Sequence, residues 1–195
     1  MEKLKEIWNN KELRSGDFYE LAIEVSNPQE VGSVKVLTNK LFELPHVRGP
    51  FDNDFEPTKL DLNYFDNLGY FIVDSRKVPF KTFHFPPEGE NASSWLDILV
   101  DTSIYEAILG KEYQTWSSDA KWHKGLDSIL IDSLKALNSV HQVRVGLIGW
   151  EVSGMYTLKT LREKQLEKVH FSPTKFFVNK DENLKGNNWS FISEL

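Results

Sequence analysis

The stretch Ser117–Gly154 constrains the fold of this chain more than any other. Ser117 and Ser118 precede Asp119. A hydroxyl cap and an acid in the first turn both stabilise a helix N-terminus. Trp122, Leu126, Ile129, Leu130, Leu134 and Leu137 then recur at steps of three and four, which lines one face of a helix. Asn138-Ser139 ends the periodic run, and Val143–Gly149 reads as a strand. Its alternation places Val143, Val145 and Leu147 on one face and Arg144, Gly146 and Ile148 on the other. A short link between a helix and a strand makes the two packed neighbours.

An earlier unit has the reverse order. Glu20–Val25 alternates, so Leu21, Ile23 and Val25 face a core and Glu20, Ala22 and Glu24 face away. Asn27-Pro28 with Glu30 is a helix start. Val34, Leu37, Leu41 and Leu44 form the inward stripe, and Leu44-Pro45 closes the helix. Val47–Phe51 begins the next strand.

Between the two units lie strands at 68–74, 81–85 and Trp95–Asp101, with Ser75–Pro79 turning between the first two. Residues 48–68 read as an acidic loop, and Pro86–Asn91 as a second loop. Thr102–Leu109 carries no clear pattern. Residues 2–13 form a short helix with Leu4, Ile7 and Trp8 inward. Residues 156–168 favour helix, Lys175–Asn179 a late strand, and Trp189, Phe191 and Ile192 a docked C-terminus.

The order of elements predicts one α+β domain over 1–195. Its expected form is a split βαβ, ferredoxin-like sandwich with a mostly antiparallel sheet and two main helices on one face. Extra N- and C-terminal elements add to it. Alternating strands argue against a three-layer α/β fold, whose parallel strands read as continuous apolar runs.

Composition narrows the function classes. The 23 basic and 29 acidic side chains leave a net charge of −6. Phosphate binding needs a basic patch, so nucleic acid is not an expected partner. There is no cysteine, which excludes disulfides, thiolate nucleophiles and iron–sulfur clusters. Met1–Glu6 lacks the apolar core of a secretory signal, and no apolar run approaches the roughly 20 residues of a membrane span. The cytoplasm is the expected compartment.

The candidate site follows from the alternation. The sheet face turned away from the helices would carry Glu20 and Glu24, then Trp95, Asp97, Leu99 and Asp101, then Arg144 and Gly146. Thr82 and His84, or the phenylalanines beside them, would join it. We single out Glu24, His84, Trp95, Asp97, Asp101 and Arg144 as binding residues. A solvated sheet face is the ordinary reading of such alternation and competes with a binding face.

Catalytic motifs fail individually. Asp97 and Asp101, four residues apart on one strand, are separated by roughly 13 Å, wider than a glycosidase carboxylate pair. Asp52–Glu56 begins like a calcium loop, but Pro57 stands where glycine is needed and Asn63 where the closing Glu belongs. Gly146-x-x-Gly149 is not a dinucleotide fingerprint, and Ser153 lacks the nucleophile-elbow glycines. No metal or cofactor is expected.

The expected function is therefore that of a non-enzymatic binding protein, an inhibitor or immunity-type partner of a basic protein, since aromatics anchor interfaces and opposite charge speeds association. The alternative is a small-molecule or metal-dependent enzyme built on His84 with Glu24, Asp97 and Asp101. A homodimer packing this face on itself is a third reading, set against the repulsion of its carboxylates.

Overall fold

The structure is a computed structural model. It describes residues 1–13, 17–25, 31–63, 66–86, 94–110, 122–141, 143–152 and 175–178. The expected caps at Asn27 and Ser117–Ser118, the helix at 156–168 and the docked C-terminus lie outside the described residues.

Among the described residues, four α-helices and one antiparallel sheet make up the fold. The helices are α1 (Glu2–Asn9), α2 (Val31–Phe42), α3 (Thr102–Leu109) and α4 (Trp122–Asn138). Six strands form the body of the sheet: β1 (Phe18–Val25), β2 (Val47–Phe51), β3 (Leu68–Val73), β4 (Arg76–Phe85), β5 (Trp95–Asp101) and β6 (Val143–Trp150). The four-residue β7 (Lys175–Val178) adds to the β6 edge, giving the order β2-β3-β4-β5-β1-β6-β7. Every neighbouring pair is antiparallel. It follows that β1 and β2 run parallel with three strands between them, and β5 and β6 run parallel with β1 between them. A ferredoxin-like arrangement is not established by this order.

The inward stripes read from the sequence are the core. Val34, Leu37, Leu41 and Leu44 from α2 and its end, and Leu126, Leu130, Leu134 and Leu137 from α4, are all buried. They pack in one cluster with Leu21, Ile23, Leu96, Ile98 and Phe71 of the sheet. Burying a leucine of this kind contributes about 1.5–3 kcal/mol. One polar contact crosses the layer: the Tyr19 hydroxyl donates to Asp127 of α4, both buried. Burial, and then the Asp127 charge, push the Tyr19 pKa far up, so the phenol keeps its proton. The Asn138 side chain closes the α4–β6 link by accepting from the Val143 N–H at 3.0 Å.

Three local readings change. Thr102–Leu109 is a helix, because Asp101 accepts from the N–H groups of Ser103 and Ile104 at 3.0 and 3.1 Å. The expected turn Ser75–Pro79 contracts to Asp74-Ser75, and Arg76–Pro79 is strand. Asp74 and Ser75 have φ of 46° and 66°, the left-handed pair that a two-residue hairpin needs. No glycine marks that turn, and Pro79 makes the run look unlike a strand. Finally, Gly146 faces the helices, as the next subsection explains.

A second, smaller cluster lies on the other face of β3. Leu4 and Trp8 of α1, Phe55 and Ile104 of α3 cover Leu68 and Tyr70. Trp8 meets Phe55 edge-on at 6.1 Å. Lys5 pairs with Asp54 at 2.7 Å, which ties α1 to the acidic loop.

Candidate functional site

Register decides which side chains share the polar face. On β1, Glu20 lies opposite Leu99, Ala22 opposite Asp97 and Glu24 opposite Trp95. Asp97 is thus the diagonal neighbour of both glutamates, at a typical spacing of roughly 7–8 Å. The small Ala22 sits between them. On β4, Phe83 lies opposite Asp97 and Phe85 opposite Trp95. The phenylalanines, not Thr82 and His84, therefore join the acids.

Arg144 reaches this face through a β-bulge. Val25 pairs with Val143, while Glu24 pairs with Val145, so two steps on β6 match one on β1. The extra residue is Arg144, and its guanidinium lies 3.8 Å from Glu24. A bulge of this type interrupts the alternation of one strand. Val143 consequently joins the core under the helices, apart from Val145 and Leu147. Gly146 also turns to the helix side, where a Cβ would stand 2.7 Å from Leu134 of α4.

The face is not the solvated surface that alternation predicts. Glu24 is 1% exposed and Asp97 0%, and Glu20, Trp95 and Asp101 are buried as well. Alternation tells which side of a sheet a residue takes, and not whether water reaches it. Among the described charges, Arg144 compensates Glu24, and Asp101 is occupied as the α3 cap. Accessible surface appears at the rim. Phe83 and Phe85 are 41% and 44% exposed, with ring centroids 4.7 Å apart. Their signal in the sequence is the run Lys81-Thr82-Phe83-His84-Phe85, legible only once the partner strand is known.

His84 is not brought together with Glu24, Asp97 and Asp101. It pairs with Leu96, which belongs to the helix-side core, and its Nε2 lies 2.7 Å from the Ser94 hydroxyl. Burial pushes its pKa below the usual histidine value. A matching pair joins the helices to the link after α2: His46 Nε2 lies 2.9 Å from Ser133 Oγ, and the His46 ring stacks on Phe71. Ser133 is fully buried, so this Ser–His contact holds α4 in place and offers no nucleophile to a substrate.

Burial also lowers the His46 pKa, with Asp132 acting in the opposite direction. The sign follows. The unfolded chain takes up a proton near pH 6.5 while folded His46 resists it. The neutral histidine thus contributes stability that is complete above that value and falls as the pH drops toward its lowered folded value. His46→Gln keeps a donor for Ser133 without the titration. Urea unfolding at pH 7.5 and 5.5 should show a smaller acid-side loss in the variant than in the wild type. An equal loss in both would remove His46 as the cause.

Among the described residues, no group of three or more His, Asp or Glu side chains converges to hold a metal ion, and no helix is long and apolar enough to cross a membrane. In the acidic loop, Asp52 accepts from the N–H groups of Asp54 and Glu56 at 2.9 and 3.0 Å, so its carboxylate closes the turn on itself. Compared with protein-family models, curated proteins and solved structures, the chain matches none.

Proposed function

We propose that this chain is a non-enzymatic binding protein, an inhibitor or immunity-type partner of a basic protein. The observation that carries the reading is the charge of one sheet face. On β1 and β5 that face carries Glu20, Glu24, Asp97 and Asp101 and no cation; Arg144 reaches it from β6, while Arg48 of β2 and Lys77 and Lys81 of β4 lie further along it, Lys81 paired with Asp66 at 3.1 Å. The exposed phenylalanines lie on the rim of that face. Interfaces of this kind combine aromatic anchors with a complementary field that steers the partner. In fold terms, we read the sheet as two interleaved split βαβ units, β1-α2-β2 and β5-α4-β6. The hairpin β3–β4 is inserted between β2 and β5, a ferredoxin-like plan widened by two strands.

The separation of His84 from the acids leaves the enzyme reading without its assembled residues. The test of the binding reading is a calorimetric titration against a panel of small folded basic proteins, with acidic proteins of similar size as controls. Binding confined to basic members and weakened about tenfold or more by high salt is the expected result. Equal binding to both panels, or to neither, would sink the reading.

A further inference from the structure

We propose that α1 is an exchangeable strap: the aromatic groove beneath it takes α1 of a second copy of this chain in place of its own, so that two chains trade this helix. The proposal concerns the smaller cluster over β3 and not the acidic row, and it stands apart from the reading above.

Side chains alone tie the segment down. Among the described residues, the backbone hydrogen bonds of residues 1–13 beyond the helix ladder close within the segment: Lys5 to Met1, Asn10 to Ile7 and Leu13 to Asn10. The contrast with α3, also eight residues long, is direct. The Asp101 carboxylate caps the start of α3, and Thr102 donates its N–H to the Asp17 carbonyl at 3.1 Å. Arg76 donates to the carbonyls of Ile108 and Leu109 at the other end. α1 has no side-chain cap at Met1. An isolated helix shorter than about 12 residues is marginal in water. α1 therefore forms by docking and leaves as a unit.

The groove decides what fills it. Leu4 and Trp8, one turn apart, enter it as buried side chains, with Ile7 half-buried beside them. Phe51, Phe55, Leu68, Tyr70 and Ile104 line it. Phe51 lies flat on Tyr70 with ring centroids 5.4 Å apart, and Trp8 meets Phe55 edge-on. Left empty, the groove would turn these five side chains to water, which the hydrophobic effect opposes. Release of α1 thus favours a replacement, and the sequence shown to fit is α1 itself. A second copy brings the same Leu4–Trp8 spacing. In an exchanged pair each groove regains every contact of the closed chain, which makes swapping a low-cost route to a dimer. One contact outside the groove marks which α1 is docked. Lys5 Nζ lies 2.7 Å from Asp54 Oδ1, and the two side chains are 46% and 63% exposed.

Hydrogen exchange of the wild-type chain, followed by NMR, tests the release. The α1 amides should exchange at least about a hundredfold faster than those of β1 and α4. Equal protection would mean that α1 opens only with the whole fold, and would overturn the proposal.

The exchange is tested with two full-length variants, Lys5→Glu and Asp54→Lys. Each sets like charges against each other in its own closed chain. In an exchanged heterodimer both grooves regain an opposite-charge pair: the new glutamate meets the new lysine in one, and the native Lys5 meets the native Asp54 in the other. Both positions are exposed, so neither substitution threatens the fold. Native mass spectrometry of the mixed chains, at high protein concentration and low salt, separates the species by mass. The expected result is a heterodimer at least about tenfold more abundant than either homodimer. Adding Trp8→Ala to both chains should abolish it, and Leu4→Ala is the milder second variant with the same expected loss. A mixture without a heterodimer, or one that pairs at random, overturns the exchange. A heterodimer that survives both apolar substitutions is a side-by-side association and overturns it too.

Discussion

Replacing Arg144 with alanine is expected to lower the unfolding free energy by roughly 2–4 kcal/mol, far more than the loss of a surface charge. The pair it breaks is unequal. The Arg144 side chain is 27% exposed, whereas Glu24 is 1% exposed and cannot regain its hydration when the arginine is gone. The cost therefore comes from the carboxylate left behind. Glu24→Gln in the Arg144→Ala background should recover part of the loss, because it removes a buried charge that has lost its arginine. Urea unfolding of the wild type, both single variants and the double variant measures this directly. If Arg144→Ala costs less than about 1 kcal/mol, or if Glu24→Gln adds to its loss in full, the bulge does not serve to neutralise Glu24.

The second large effect is at Gly146. Its α-carbon lies under Leu134, and a Cβ there would come within 2.7 and 2.9 Å of the two leucine methyls. Leu134 is fully buried, so those methyls have no solvent to move into. Gly146→Val should cost about 2–3 kcal/mol by overpacking. Leu134→Ala should cost about 2–5 kcal/mol by leaving a cavity. The two defects are complementary in volume. The double variant should be at least about 1 kcal/mol more stable than the sum of the single losses predicts. Strict additivity would mean that β6 and α4 do not meet at this point.

These two predictions concern neighbouring residues of one strand, and they mark where sequence reasoning stopped. Simple alternation places Arg144 and Gly146 on the same face. The bulge at Arg144 puts them on opposite faces, one beside Glu24 and the other beneath Leu134. A bulge is a property of a strand pair, and the partner of β6 is β1, more than a hundred residues earlier in the chain. The same holds for His84. Its own strand leaves two choices, and only the pairing with Leu96 assigns it to the helix side. Asp101 is different. The sequence Asp101-Thr102-Ser103-Ile104 has a capping residue at its start, but a helix of eight residues gives little periodic signal.

What the sequence by itself determined is local and periodic. The stripes of α2 and α4, the alternation of β1 and β5, and, α3 apart, the order of strands and helices follow from spacings of three, four and two residues. Those spacings reflect backbone geometry that needs no partner. Only the tertiary structure decided strand order, the bulge, and the burial of the acidic row. Each depends on which distant segment lies alongside and on what excludes water from the face. Glu24 reads as a solvent-facing acid in its own strand. In the fold it is 1% exposed, with Trp95 and Val145 opposite it on the flanking strands and Arg144 at its side.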